Sequence, residues 1–213
     1  MTTIYLIRHG EIDQGSPRRY IGQSDIELSP AGRKQMISLA DFLKNVSITG
    51  FYCSPLQRCR ESAEILCSRF PGTTPEIIDG LKEISLGLWE GLTIAEVKNR
   101  YPGSFESRGE DFAGYRPPGG ESFADLQQRA WAAFVQLIEH GPKHLAIIAH
   151  AGVNRTLLCT ILGMNLGNLF QLNQDYGCLN LIRFEKEQFS IQSLNICPHS
   201  RVQKKNFSAK QES

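Results

Sequence analysis

The 213-residue sequence predicts an α/β fold: a three-layer sandwich with a mostly parallel central sheet flanked by helices. Three observations predict it. Two short apolar runs, Ile4-Tyr5-Leu6-Ile7 and Leu145-Ala146-Ile147-Ile148-Ala149, have the continuous hydrophobicity of strands buried on both faces. Several stretches carry apolar residues at the helical period. Strands and helices alternate along most of the chain, as parallel pairing requires.

The elements follow in order. The first strand ends in Arg8-His9-Gly10, and an aperiodic loop runs from Ser16 to Ser29. Ser29-Pro30 has the N-cap and first-turn proline of a helix start, and Met36, Leu39, Ala40 and Leu43 mark that helix's buried face. Phe51-Tyr52-Cys53 is the next strand. Ser54-Pro55-Leu56-Gln57 predicts another helix start at Pro55, with Ser54 as N-cap and Gln57 closing a capping box. Its stripe is Leu56, Cys59, Ala63, Leu66 and Phe70. Glu76-Ile77-Ile78 suggests a short edge strand. From Leu81 to Gly120 the chain is irregular, with one helix near Thr93 to Arg100; Ser122 opens a clearer helix through Leu137. The second apolar strand runs through His150 into a helix ending near Leu162. Cys178 to Phe184 and Phe189 to Ile196 form a hairpin. One domain is expected over residues 1–198, followed by a polar, flexible tail at 199–213.

Composition excludes some functions. Hydrophobic residues make up 41% and charged residues 21%, enough for a packed core. The net charge of +1 argues against nucleic acid or an anionic membrane as the main partner. Affinity for an anion must then come from a local cluster of cations. No signal peptide and no membrane-spanning stretch is expected. The six cysteines form no C-x-x-C pair and read as buried free thiols, so a cytoplasmic location is expected and a metal site is not. Self-association into a homodimer is left open.

Ligands of open α/β sheets collect beyond the carboxyl ends of strands. Here two apolar strands end alike, each in a histidine followed by small residues: His9 with Gly10, and His150 with Ala151 and Gly152. Arg8 adjoins His9, and Arg58 falls in the first turn of a helix, where only an anion would make a cation welcome. Guanidinium matches two phosphate oxygens at once. Each residue taken alone also has an ordinary structural role to play. His140, His144 and His199 stand in no such context.

The blocks Leu6-Ile7-Arg8-His9-Gly10-Glu11, Leu28-Ser29 with Gly32, Ser54-Pro55-Leu56-Gln57-Arg58, Glu83 before Gly87-Leu88-Trp89-Glu90-Gly91, Pro118-Gly119-Gly120-Glu121-Ser122 and Ala149-His150-Ala151-Gly152 occur in that order. Together they resemble the histidine phosphatase superfamily, which includes the cofactor-dependent phosphoglycerate mutases. The resemblance implies a phosphoglycerate mutase-like fold and a metal-independent phosphatase without a cofactor. It implies His9 as the nucleophile that becomes phosphohistidine, Arg8, Arg58 and a protonated His150 as the rest of the phosphate pocket, and Glu83 as proton donor. Gly10 and Ala151, beside the two histidines, and the Gly22-Gln23-Ser24 loop are expected to contact substrate. Glu90 is expected to be a structural carboxylate.

One departure stands out. The family often has Thr after R-H-G-E and a phosphate-contacting Asn three residues later; here those positions are Ile12 and Gly15. Arg18, Arg19 or the loop at residues 22–24 are the candidates to replace that donor. The segment from Glu90 to Ser122 is short compared with the mutases, which favours a phosphatase. Tyr20-Ile21-Gly22-Gln23-Ser24-Asp25 and Asp175-Tyr176-Gly177-Cys178-Leu179-Asn180 look most like α-ribazole phosphatases, which implies α-ribazole 5′-phosphate, a small phosphomonoester of cobalamin nucleotide-loop assembly. A broad sugar- or acid-phosphate phosphatase, a mutase and a non-catalytic phosphate-binding module are the alternatives. Tyr101, Phe105, Arg108, Phe112, Tyr115 and Arg116 form a set that either closes over a flat nucleoside-like group or anchors a surface segment to the core.

Overall fold

The two apolar runs lie side by side. In the computed structural model, which describes residues 1–199, β1 (Thr2–Arg8) pairs in parallel with β4 (His144–Ala149), Ile4 opposite Leu145 and Arg8 opposite Ala149. β2 (Gly50–Cys53) lies parallel on the far side of β4, and the two-residue β3 (Glu76–Ile77) forms the edge next to it. β5 (Leu179–Glu185) runs antiparallel to β1, and β6 (Gln188–Ile196) returns beside β5. The six strands take the order β3-β2-β4-β1-β5-β6. The parallel half carries the strand ends that build the site; the antiparallel hairpin closes its flank.

Strand alternation divides the core. Ile4, Leu6, Leu145, Ile147 and Ala149 face one layer, with Leu126, Ala130 and Phe134 of α5 (Phe123–His140) and Val153 and Leu157 of α6 (Ala151–Leu162). Tyr5, Ile7, Ala146 and Ile148 face the other, with Met36, Leu39 and Leu43 of α1 (Pro30–Leu43) and Cys59, Ala63 and Leu66 of α2 (Gln57–Cys67). That is the three-layer sandwich. No helix among the described residues is long and apolar enough to cross a membrane.

The caps of α1 and α5 form as expected. Ser29 Oγ accepts from the Gly32 amide, and Ser122 with Asp125 makes a full capping box. The start of α2 differs. It begins at Gln57 with Leu56 as N-cap, two residues later than Ser54-Pro55 suggested. The Gln57 amide donates instead to Asp25 Oδ1 at 2.6 Å, a carboxylate from a distant loop. The 81–120 stretch holds α3 (Ile94–Arg100), capped by Thr93 and Glu96, and a second helix, α4 (Ser104–Glu110). Tyr101, Phe105, Phe112 and Tyr115 pack half-buried against the core, which is the anchoring arrangement. Arg108 lies among the rings of Tyr20, Trp89, Phe112 and Phe123, 5.1–5.9 Å from their centroids, and Arg116 pairs with Asp125. Of the polar tail, residues 200–213 lie outside the described residues.

Candidate active site

Because β1 and β4 end in register, the residue after each emerges at one point. His9 and His150 meet edge to face, ring centroids 5.1 Å apart, both buried. His9 Nδ1 lies 2.7 Å from the Gly10 carbonyl oxygen. A carbonyl only accepts, so Nδ1 carries the hydrogen and Nε2 keeps its lone pair. Burial, then the charges of Arg8 and Arg58, hold the His9 pKa well below the usual histidine range. The ring is therefore neutral, with one nitrogen fixed as a base or nucleophile.

Arg58 is 1% exposed and makes three hydrogen bonds: Nε to His150 Nδ1 at 3.2 Å, Nη1 to the Ser24 carbonyl at 2.7 Å and Nη2 to the Gly22 carbonyl at 2.8 Å. A guanidinium has five N–H groups, so Nη1 and Nη2 each keep one for a ligand. The Nε donation requires a lone pair on His150 Nδ1, which places the ring's hydrogen on Nε2, 2.8 Å from Ser54 Oγ. Burial, then Arg58, His9 and Arg8, keep the His150 pKa well below the usual range. In the free protein the His150 ring is thus held neutral; the protonated ring is the one expected with phosphate bound. Three neighbouring groups are cationic or compete for the same proton, and only an incoming anion reverses that balance.

Arg8 leaves β1 beside this pair. Its Nη1 donates to the Gln174 carbonyl at 2.5 Å, and its Cζ lies 3.6 Å from the centroid of the Tyr176 ring. Glu83 reaches the start of α6, just beyond His150. Its Oε2 accepts from the Gly152 amide in the first turn of α6 at 3.1 Å, and its Oε1 from the Ile84 amide at 2.9 Å. The Gly152 amide, one of the first-turn amides that α6 itself leaves without an acceptor, is therefore occupied by the protein's own carboxylate. Gly152 permits this contact, since a Cβ there would lie 2.4 Å from Glu83 Oε1. Arg129 and Gln23 both donate to the Glu83 carbonyl and fix its backbone.

The remaining expected residues surround this centre in supporting positions. Gly22 and Ser24 turn their carbonyls to Arg58. The Gln23 amide donates to Glu90 Oε1 at 2.9 Å and Ser24 Oγ to Glu90 Oε2 at 3.4 Å, so Glu90 is the carboxylate that holds this loop. Gly22 has φ 50°, a conformation that favours glycine. The Gly10 amide donates to Ser62 Oγ. Ala151 opens α6, half-buried, next to His150. Of the candidates to replace the missing Asn, Arg19 pairs with Glu96, away from the histidines, and Arg18 is exposed. Four contributors were not singled out from sequence for these roles: Ser54 on His150, Asp25 on α2, and Gln174 and Tyr176 on Arg8. Ser54 carried an N-cap signal and a place in the 54–58 block, Asp25 and Tyr176 a place in the two strings that look like α-ribazole phosphatases, and Gln174 no signal. Among the described residues no three His, Cys, Asp or Glu side chains converge as a metal site would need.

The arrangement can bind a tetrahedral anion between two guanidinium groups, with a neutral imidazole to attack and a carboxyl group held at the start of α6, just beyond His150, to move a proton. The model of the histidine phosphatase superfamily (branch 1) matches residues 4–197. Phosphoserine phosphatase 1 of Hydrogenobacter thermophilus is 30% identical over 202 residues, covering 93% of this chain and 94% of that protein. The structure resembles the α-ribazole phosphatase of Shigella flexneri, with TM-score 0.84, 25% identity and coverage of 92% and 96%. It also resembles a mycobacterial glucosyl-3-phosphoglycerate phosphatase complexed with VO3, with TM-score 0.80, 27% identity and coverage of 92% and 99%. The chain belongs to the histidine phosphatase superfamily, branch 1, and is a phosphatase.

Proposed function

We propose that the chain is a metal-independent phosphomonoesterase working through a phosphohistidine at His9, with α-ribazole 5′-phosphate as its substrate. The observation that carries the mechanism is His9 itself: neutral, with Nδ1 tied to the Gly10 carbonyl and Nε2 left to attack. His9 Nε2 forms a bond to phosphorus as the ester P–O bond breaks. Arg8, Arg58 and His150 face the non-bridging oxygens, where most of the stabilisation in phosphoryl transfer is delivered. The incoming phosphate raises the proton affinity of His150; the second proton goes on Nδ1, which gives up the bond from Arg58 Nε and completes the charge match. Glu83, carrying a proton, gives it to the departing alkoxide. As a carboxylate it next takes a proton from water, which attacks phosphorus and frees His9 and inorganic phosphate. Such proton transfer is typically worth ~10²–10⁴ in rate.

The substrate proposal is supported by the likeness to the Shigella flexneri enzyme and by the strings at 20–25 and 175–180 that look most like α-ribazole phosphatases. The aromatic set at 101–115 gives it less support, because those rings pack against the core. The identity with phosphoserine phosphatase 1 across nearly both whole chains favours a second reading, a small acid phosphate. Both are tested by kcat/KM for α-ribazole 5′-phosphate, O-phosphoserine and 3-phosphoglycerate in excess EDTA. The expected result is the highest value for α-ribazole 5′-phosphate, unchanged by the chelator. A higher value for either acid phosphate overturns the α-ribazole assignment. Activity lost in EDTA and restored by Mg²⁺ overturns metal independence.

A further inference from the structure

Among the described residues no carboxylate forms an ion pair with Arg8. What holds its charged end is a carbonyl on one side, that of Gln174, and an aromatic face on the other, that of Tyr176. Its Nε is buried with no hydrogen-bond partner among the described residues. At 3.6 Å from Cζ to ring centroid, the guanidinium lies against the ring at van der Waals contact. A cation–π contact leaves the guanidinium's N–H groups to other acceptors. The same ring stands 5.5 Å from the His9 imidazole, centroid to centroid. Tyr176 thus touches both the nucleophile and the cation beside it.

The ring is itself held. Gln14 Nε2 donates to the Tyr176 hydroxyl at 2.8 Å, tying it to the loop that follows β1. The Gly177 amide donates to the His9 carbonyl at 3.0 Å, so the backbone next to Tyr176 is fixed to the nucleophile's own backbone. The antiparallel pairing of β5 with β1, Leu179 opposite Ile7, brings this segment to the end of β1. A half-buried tyrosine could serve only to brace a loop. A brace would not need to sit 3.6 Å from the guanidinium carbon of the arginine adjoining the nucleophile.

We propose that Tyr176 is a positioning residue for phosphoryl transfer: its ring sets the plane of the Arg8 guanidinium so that the free N–H edge meets the phosphoryl oxygens beside His9. The proposal rests on the phosphatase reading of this site. It assigns the ring, not the hydroxyl, the main part. The hydroxyl accepts from Gln14 and has the lesser task of keeping the ring in place.

Orthovanadate binding, measured by titration calorimetry on the whole protein, tests this without relying on turnover. Tyr176→Phe keeps the ring and should bind within about threefold of the parent. Tyr176→Leu removes it and should weaken binding roughly tenfold, about what a partly desolvated cation–π contact is worth. In an Arg8→Ala background the Leu substitution should change little, because the group it positions is gone. If Tyr176→Leu does not fold by circular dichroism, Tyr176→Gln, suited to a half-exposed site, takes its place with the same expectation. Parent-like binding by the ringless variant overturns the proposal, as does an undiminished loss in the Arg8→Ala background, which marks a loop brace. Failure of the parent protein to bind vanadate overturns instead the phosphatase reading beneath it.

Discussion

Arg58→Lys keeps the charge and removes the geometry. In the structure the guanidinium serves three acceptors in three directions: His150 Nδ1, the Ser24 carbonyl and the Gly22 carbonyl. An ammonium on a lysine stem reaches at best one of them. Two buried or half-buried acceptors then lose their donor, at about 1–3 kcal/mol each. Ser24 is half-buried, so water relieves part of that loss. The expected destabilisation is about 2–4 kcal/mol, a large part of an ordinary domain's margin. Activity should fall further, because the two N–H groups left for phosphate also lose their fixed directions; one lost donor of this kind costs about 10²–10³ in rate. Urea unfolding gives the first number and p-nitrophenyl phosphate kinetics the second. Arg69→Lys, at an exposed pair with Asp41, is the silent control. A lysine variant within tenfold of the parent in kcat/KM and within about 1 kcal/mol in stability would refute the reasoning.

Two further outcomes are expected. Glu83→Gln keeps the two backbone hydrogen bonds to the side chain's oxygen sites in part but cannot transfer a proton; it should slow alkyl phosphates far more than p-nitrophenyl phosphate, whose leaving group needs little protonation, and equal losses would point to a binding role. His9 and His150 have depressed pKa values in the fold, so the unfolded chain binds more protons as pH falls below the ordinary histidine value near 6.5. Stability should therefore be full above that pH and decline below it, by up to about 1.4 kcal/mol per pH unit for each ring, and urea melts from pH 7.5 to 5 of the parent and of His9→Asn should show a shallower decline in the variant.

The readable parts of this fold are those in which local sequence and tertiary environment agree. Continuous hydrophobicity marked β1 and β4 because both faces of each are covered, by α5 and α6 on one side and α1 and α2 on the other. The two histidines stood out because they end those strands. α4 was invisible for the complementary reason: none of its residues is buried, so no apolar stripe marks it. At α2 the local cap signal was overridden from a distance. Ser54 turns to His150, and Asp25, 32 positions earlier than Gln57, supplies the acceptor. Gln174 and Tyr176 reach Arg8 only because β5 pairs with β1 across more than 160 residues of chain, a separation no periodicity can reveal. The charge of His150 was likewise beyond the sequence, since it depends on which nitrogen Arg58 faces.

The central claim is that His9 Nε2 becomes covalently phosphorylated. Rapid quenching of the protein with a ³²P-labelled phosphomonoester, followed by peptide mapping, tests it most directly. The expected product is an acid-labile, alkali-stable phosphoenzyme with the label on the peptide containing His9, absent from a folded His9→Ala variant that also lacks turnover. Label on a serine or an acidic residue, or substantial turnover by His9→Ala, would contradict the account.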